Sequence, residues 1–154
     1  MSNSKVLDQT VLSESDSRKQ RANPKTTAWN DFLALVKIGI IKSNLITVFT
    51  GLWLALHFSG MSFLKNLDIV VLALLGSALI IGGAGTLNNY IDRDIDHLME
   101  RTKARPTVTG KASAVSVLLL GLSFVGVGTI LLAFTTWTAA VIGLFGVFAY
   151  VILY

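Results

Sequence analysis

The chain has 154 residues, of which 53% are hydrophobic and 14% are charged, and its formal net charge is +4. Soluble domains carry about 25% charged residues, so this composition and a mean hydropathy of +0.65 exclude an ordinary soluble globule, and disorder over most of the length. The chain has no cysteine, which excludes disulfide frameworks, thiolate metal sites and a cysteine nucleophile.

The first 31 residues are polar and rich in Ser, Asn and Lys. They contain Asp8, Glu14 and Asp16, unlike an acid-depleted transit peptide, and they lack the apolar core of a secretory signal. Their low hydrophobicity predicts a disordered tail, residues 1–31, ahead of a membrane domain that covers residues 32–154.

Three stretches of the remaining sequence carry no charged residue, namely 43–64, 69–91 and 112–154. A membrane-spanning helix needs about 20 mostly apolar residues. The first two stretches therefore hold one span each, and the third holds two, with a turn near Thr135–Thr138. The predicted fold is an all-α, polytopic membrane protein with four helices, at about 35–58, 68–90, 113–134 and 138–154.

Lysine and arginine are unevenly distributed between the segments that flank these spans. The tail and a loop at about 91–112 carry five each, the first loop carries only Lys65, and the last turn carries none. Because cytoplasmic flanks are rich in basic residues, the tail and the 91–112 loop are predicted to be cytoplasmic. The last span reaches the C-terminus without a polar flank, which predicts that the chain is an N-terminal fragment of a longer protein; a C-terminus that lies at the membrane interface is the alternative.

Polar side chains at a regular spacing follow the second span. If its helix continues past Ile91, then Asn88, Asp92 and Asp96 lie at i, i+4 and i+8 and form one acidic stripe, whereas Asp94 points away. Two carboxylates and an amide oxygen suit a hard cation, and Mg²⁺ is commonly held by one or two carboxylates together with substrate phosphates and water. The acidic stripe therefore predicts a magnesium site.

A basic cluster, Arg101, Lys103 and Arg105, follows the acidic stripe. Pro106 then favours the end of any local helix. The guanidinium group of arginine is a good planar match to phosphate oxygens. Together the stripe and the cluster predict a site for a Mg²⁺-bridged diphosphate; a charged loop that is simply solvated is the alternative.

These motifs resemble those of a known family. Residues 88–96 (N-x-x-x-D-x-x-x-D) are similar to the first aspartate-rich motif of the UbiA-type intramembrane prenyltransferases. Residues 99–106 (M-x-R-T-x-x-R-P) are similar to a motif of the branch of that family that farnesylates heme, the protoheme IX farnesyltransferases or heme O synthases. Residues 35–44 resemble the same branch. The resemblance covers about residues 32–154 and leaves out the tail.

The resemblance implies an architecture and a reaction. The family is implied to have nine membrane helices and a second aspartate-bearing cytoplasmic loop, so a chain with four spans is expected to be inactive alone. The implied reaction moves the farnesyl group of farnesyl diphosphate to the vinyl group of heme B, a substrate rather than a cofactor, and gives heme O and diphosphate. The expected partners are the lipid bilayer and a downstream heme A synthase or terminal oxidase assembly, with no nucleic acid. The expected location is the cytoplasmic membrane of a bacterium.

The resemblance also implies roles for individual residues. Asp92 and Asp96 would hold Mg²⁺ and so act in catalysis, because the ion neutralises charge on the leaving diphosphate. Asn88 would complete the metal site or contact the diphosphate. The residues expected to bind the diphosphate are the basic cluster: Arg101, Lys103 and Arg105.

Three polar residues of the first span are secondary candidates. Lys37 and Lys42 would either contact a diphosphate or a heme propionate, or snorkel to the membrane surface. Asn44 would either line the substrate cavity or hydrogen-bond to a neighbouring helix. Either His57 or His97 could be a heme-iron ligand, but a single histidine in a wet loop is more commonly a solvated side chain, and neither is assigned as a ligand.

Other functions fit parts of the sequence. A UbiA-type prenyltransferase that acts on a quinone precursor or chlorophyllide would use the same diphosphate chemistry, and the residues alone do not select the acceptor. An enzyme that moves CDP-linked alcohols expects an Asp-Gly-x-x-Ala-Arg element, which does not precede Asp92. A transporter or accessory subunit would have ionisable residues near mid-membrane, and the last three spans carry none there.

Overall fold

The structure, a computed structural model, describes residues 28–98, 100, 102 and 105–153. The chain divides into two compact units, residues 1–30 and 31–154. Of the first unit only residues 28–30 are described, and they begin a helix. Most of the predicted tail, residues 1–31, therefore lies outside the described residues, and its disorder stays a prediction.

Every regular element in the described part of the chain is helical, which confirms the predicted all-α class. In chain order the helices are α1 (Ala28–Leu35), α2 (Ile38–Phe58), α3 (Leu67–Ile91), α4 (Arg93–Asp96), α5 (Ala114–Thr135) and α6 (Trp137–Phe148). A 3₁₀ turn, Leu64–Asn66, leads into α3, and a π-helical turn, Ala149–Leu153, continues α6.

Three helices of the second unit are long and apolar enough to cross a membrane. They cover Ile38–Phe58, Leu64–Ile91 and Ala114–Thr135, close to the first three predicted spans. A shorter apolar helix, Trp137–Leu153, occupies the position predicted for the fourth. Only helices and closed barrels satisfy their backbone groups within a bilayer, so a chain with several such helices is a multi-pass membrane protein.

Side-chain caps fix the starts of α5 and α6. Ser113 Oγ accepts a hydrogen bond from Ser116 N, and Thr136 Oγ1 accepts one from Ala139 N, both at 3.1 Å. Each cap supplies an acceptor to backbone N–H groups that have no partner within their own helix. The extended backbone of Thr136 (φ −155°, ψ 146°) separates α5 from α6, inside the turn predicted near residues 135–138.

Helix α3 is the centre of the bundle, and it packs most extensively on α5. Glycines permit the closest approach, because a Cβ atom added to Gly83 would lie 2.9 Å from Gly121 O and from Val125 N. One added to Gly128 would lie 2.8 Å from Gly76 O. Both clashes involve backbone atoms, so α3 and α5 reach this separation only through glycine, as small residues allow between membrane helices.

Replacing Gly83 by Ala is expected to lower the thermal unfolding midpoint of the detergent-solubilised protein, at a free-energy cost of about 1–3 kcal/mol. The added methyl group meets the backbone of α5, so the two helices must move apart. Gly126→Ala is the matched control, since the Cβ position of Gly126 on α5 has open space around it. Equal midpoints for the two variants would contradict the close crossing of α3 and α5.

Candidate substrate site

A charged pocket of about 600 Å³ lies where the end of α3 meets α4 and the start of α2. Its polar lining consists of Lys37, Asn88, Asp92, Asp96, Thr102, Arg105 and Tyr150. The structure thus brings together the acidic stripe, one member of the basic cluster and Lys37. The other two members, Arg101 and Lys103, lie outside the described residues, so their role stays a prediction.

The acidic stripe persists across a break in the helix. Helix α3 ends at Ile91 and α4 begins at Arg93, so the expected continuous helix is interrupted at Asp92 (φ −74°, ψ −8°). The backbone nevertheless keeps the helical pattern, because Asp92 N donates to Asn88 O and Asp96 N donates to Asp92 O, each at 2.9 Å. The three side chains therefore still share one wall of the charged pocket.

Asn88 orients the first carboxylate of the stripe. Its side chain is buried, and Nδ2 donates to Asp92 Oδ2 at 2.6 Å. Asp92 itself is half-buried and lines the charged pocket. A charge-assisted hydrogen bond of this length fixes the carboxylate against the pocket wall, where a cation or a polar ligand can reach it.

Asp96 differs from Asp92, because a protein cation already neutralises it. Arg105 Nη1 lies 2.6 Å from Asp96 Oδ2, and the Asp96 side chain is only 5% exposed. Thr102 Oγ1 donates to Asp96 O at 2.8 Å and anchors the following loop to the same residue. Arg105, predicted to bind a diphosphate, is thus in the first place the partner of a buried carboxylate.

The described residues contain no group of three or more Asp, Glu, His or Cys side chains that could hold a metal ion by themselves. The pocket offers Asp92, Asp96 and the amide of Asn88. This donor set fits an ion that takes one or two carboxylates from the protein and completes its shell with phosphate oxygens and water, as Mg²⁺ does. The predicted magnesium site would therefore need a bound diphosphate to complete it.

An apolar cavity of about 460 Å³ adjoins the charged pocket. Its walls are residues of α2, α3, α5 and α6, including Val48, Ile80, Ala84, Leu132 and Val147. Asn44 also lines it, with its Nδ2 donating to Ile40 O at 2.9 Å, so the amide nitrogen is satisfied within its own helix rather than by a neighbouring one. Lys37, Ile40 and Tyr150 line both spaces, so the two spaces meet at these residues.

Lys37 forms the elbow between α1 and α2. Its backbone is left-handed (φ 53°, ψ 53°), a conformation that costs a residue with a side chain about 1–2 kcal/mol. Nζ donates to Tyr150 OH at 3.3 Å and lies 5.6 Å from the centre of that ring. The ammonium group is therefore directed to the boundary of the two spaces, which favours the predicted substrate contact over snorkelling.

Two residues of this region, Asn89 and Tyr150, are not predicted from the sequence. Asn89 is 2% exposed, and its Nδ2 donates to Leu35 O at 2.9 Å. Among the described residues Asn89 Oδ1 has no hydrogen-bond partner, which costs about 1–3 kcal/mol. Two sequence features could have indicated them: Asn89 is a second asparagine beside Asn88, and Tyr150 places a hydroxyl group within a mostly apolar last span.

The remaining polar residues near the acidic stripe do not line the charged pocket. Asp94, predicted to point away from the acidic stripe, is exposed, and Arg93 Nε lies 3.4 Å from its Oδ1. The Arg93 guanidinium also lies 4.4 Å from the centre of the Tyr90 ring. A hydrogen bond to Tyr90 and the nearby Asp94 carboxylate raise the pKa of Arg93. His97 is exposed, so this side of the loop is a solvated charged surface.

The fold and the site define a class: a multi-pass helical membrane protein with a charged pocket beside an apolar cavity. Residues 44–154 match the UbiA prenyltransferase family. The chain therefore belongs to the UbiA prenyltransferase family, as its motifs predict.

Curated relatives within the family are similar over most or all of the chain. The chain is 57% identical to protoheme IX farnesyltransferase 2 of Bacillus velezensis and 56% identical to that of Bacillus subtilis, in each case over all 154 residues and 48% of the relative. It is 61% identical to protoheme IX farnesyltransferase of Bacillus pumilus over 130 residues, which are 84% of the chain and 43% of the relative. The chain thus spans about half the length of the curated relatives it matches. No solved structure matches it.

Proposed function

We propose that the full-length form, meaning this chain together with the part of its relatives that it does not cover, transfers the farnesyl group of farnesyl diphosphate to the vinyl group of heme B. The C–O bond to the diphosphate breaks, the farnesyl carbon bonds to the terminal vinyl carbon, and a water molecule supplies the hydroxyl group to the carbocation that this leaves on the heme side chain. The products are heme O and diphosphate, which takes up the proton released by the water. The observation that carries the proposal is the junction of the charged pocket and the apolar cavity at Lys37, Ile40 and Tyr150. A molecule that joins a diphosphate to an isoprenoid needs two such spaces side by side. The names of the relatives supply farnesyl and heme.

The charged pocket would stabilise the leaving diphosphate. Prenyl transfer breaks an allylic C–O bond, so negative charge develops on the diphosphate and positive charge on the isoprenoid. Arg105 and Lys37 place fixed cations in the pocket wall, and each such group is worth about 3 kcal/mol to a transition state of this kind. Asp92 and Asp96, with Asn88, would hold Mg²⁺, which when bound neutralises further charge on the diphosphate.

The apolar cavity would bind the farnesyl chain. Its lining is mostly aliphatic, and its volume lies in the range of small-molecule sites. Exclusion of water from this space protects the allylic cation from hydrolysis until the heme vinyl group reacts with it. Asn44 adds one polar group to the wall, where it would contact the substrate.

We further propose that the protein lies in the cytoplasmic membrane of a bacterium with its N-terminus in the cytoplasm. The uneven distribution of lysine and arginine supports this orientation. It would place the charged pocket, at the end of α3 that leads into the 91–112 loop, at the cytoplasmic surface where soluble diphosphates occur. Heme O would then pass to a heme A synthase or to terminal oxidase assembly.

Membranes that contain the full-length protein should convert added farnesyl diphosphate and heme B to a farnesylated heme. Mass spectrometry of extracted hemes measures the product. A chelator should abolish product formation, because the leaving diphosphate then lacks its counter-ion. Excess Mg²⁺ should restore product formation. If farnesyl diphosphate is consumed with a quinone precursor but not with heme B, the acceptor is a quinone precursor and not heme. If no prenylated product forms with either acceptor, the proposed transferase activity is wrong.

A further inference from the structure

We propose that Asn89 is a positioning residue that holds the ammonium group of Lys37 at the boundary of the charged pocket and the apolar cavity. The inference rests on the proposed function, because it takes Lys37 to be a cation beside the diphosphate. Asn89 itself is among the lining residues of neither space. It would therefore act through Lys37 and not by contact with substrate.

The first step concerns the end of α1. The last carbonyl groups of a helix have no partner within that helix, and Leu35 is the last residue of α1. Asn89 Nδ2 donates to Leu35 O at 2.9 Å, and Thr86 Oγ1 lies 3.5 Å from the same oxygen. Both donors belong to α3, so the end of α1 is tied to the helix that leads into the acidic stripe.

The second step concerns the elbow. Two residues after Leu35, Lys37 adopts the left-handed conformation that helix ends usually reserve for glycine or asparagine. Lys37 N donates to Ala34 O at 3.3 Å, and Lys37 O accepts from Ile40 N at 2.8 Å. The elbow is thus joined to both α1 and α2. Because Asn89 anchors Leu35, it also fixes the direction in which the Lys37 side chain leaves the backbone.

The third step concerns the side chain of Lys37. A Cβ atom added to Gly85 would lie 3.3 Å from Lys37 Cδ, so the lysine stem passes directly over this glycine of α3. At its far end Lys37 Nζ donates to Tyr150 OH at 3.3 Å. Three contacts therefore hold Lys37 along its length. Asn89 fixes the backbone, Gly85 leaves room for the aliphatic stem, and Tyr150 accepts a hydrogen bond from the ammonium group. A cation fixed in this way loses little freedom when an anion binds.

The environment of Asn89 supports a dedicated role. Its side chain is 2% exposed and Oδ1 has no hydrogen-bond partner among the described residues. An apolar side chain of similar volume would fill the same space without burying an unpaired oxygen. The bond from Nδ2 to Leu35 O is what such a side chain could not provide, so we infer that this bond is the reason for an asparagine here.

The first test locates Lys37 without any substrate. In the detergent-solubilised full-length protein, an amine-reactive acylating reagent is applied, and mass spectrometry gives the rate at Lys37 relative to that at exposed Lys42. Asn89→Leu, which keeps the branched shape of the side chain and removes the donor, should raise this ratio several-fold, and so should the smaller Asn89→Ala. The matched control is Asn66→Ala, because Asn66 Nδ2 also donates to a backbone oxygen, Ser62 O at 2.8 Å. An unchanged ratio in the Asn89 variants would overturn the inference.

The second test asks whether Asn89 acts through Lys37. Binding of inorganic diphosphate with Mg²⁺ is measured for Lys37→Met, Asn89→Leu and the double variant, together with the KM for farnesyl diphosphate. Each single variant should weaken binding about tenfold, as loss of a supporting residue commonly does, and KM should change more than kcat. The double variant should bind as weakly as Lys37→Met alone, whereas additive losses would indicate an independent structural effect and overturn the inference.

The two proposals fail in different ways. Loss of prenyl transfer in Asp92→Asn, combined with unchanged diphosphate affinity in Lys37→Met, would leave the proposed function standing and overturn the positioning role of Asn89. Absence of prenyl transfer by the unaltered protein, with either acceptor, would overturn both.

Discussion

Replacement of Asp92 by Asn should lower prenyl transfer by the full-length enzyme at least about 100-fold, while the protein remains folded and inserted. The change keeps the size of the side chain and removes its negative charge. Arg105 neutralises Asp96, whereas Asp92 is half-buried with an amide as its hydrogen-bond partner. Asp92 is therefore the carboxylate best able to attract a divalent cation. The measurement is kcat/KM with farnesyl diphosphate as the varied substrate.

Asp94→Asn is the matched control for this variant. Asp94 lies two positions away, is exposed, and pairs with Arg93 outside the charged pocket. Asp94→Asn changes the net charge of the loop by the same amount as Asp92→Asn. Because Asp94 lies outside the charged pocket, the kcat/KM of this variant should stay within about twofold of that of the unaltered enzyme. Equal losses in both variants would indicate a general charge effect. Near-normal turnover in Asp92→Asn would show that the metal assignment is wrong.

The membrane helices are predictable because they depend on local composition. A stretch of about 20 uncharged, apolar residues is sufficient to identify a span, and α2, α3 and α5 lie where such stretches occur. The turn at Thr136 follows from a cluster of threonines between apolar runs. Helix ends are less predictable, because the break at Lys37 separates α1 from α2 inside the predicted span at 35–58.

The acidic stripe is also predictable, for a related reason. Its spacing of four residues requires only local helical geometry, and the backbone bonds across Asp92 preserve that geometry even where the helix is interrupted. The partner of Asp96 is less evident. Arg105 is predicted to bind substrate from its chemistry alone, but only the fold of the loop between them shows that it neutralises a buried carboxylate.

Contacts between distant parts of the chain are not predictable in this way. Lys37 and Tyr150 are 113 positions apart, and Asn89 and Leu35 are 54 positions apart. Both pairs depend on how closely α1, α3 and the last helix pack, which hydropathy does not encode. A left-handed elbow is commonly marked by glycine or asparagine. Here a lysine occupies it, so the sequence carries no local sign of the bend.

Replacement of Arg105 by Ala should both destabilise the protein and weaken its binding of farnesyl diphosphate. The Asp96 side chain is 5% exposed, so loss of its partner leaves a buried carboxylate unpaired, at a cost of about 3 kcal/mol. The same change removes a cation from the charged pocket. Denaturant titration in mixed micelles measures the free energy of unfolding, and KM for farnesyl diphosphate measures the loss of binding.

A second substitution separates these two effects. Asp96→Asn in the Arg105→Ala background removes the unpaired charge, so it should restore most of the lost stability without restoring the low KM. Lys111→Ala is the control for loss of an ion pair, because Lys111 and Asp31 are 3.9 Å apart and more exposed, and such pairs contribute less than about 1 kcal/mol. The KM of the double variant is compared with that of Asp96→Asn alone, because Asp96 is itself a proposed Mg²⁺ ligand. If the double variant recovers stability and its KM equals that of Asp96→Asn, Arg105 serves only to neutralise Asp96. If it recovers stability but its KM exceeds that of Asp96→Asn, the arginine has two roles, since it balances the buried carboxylate and also offers a cation to the diphosphate.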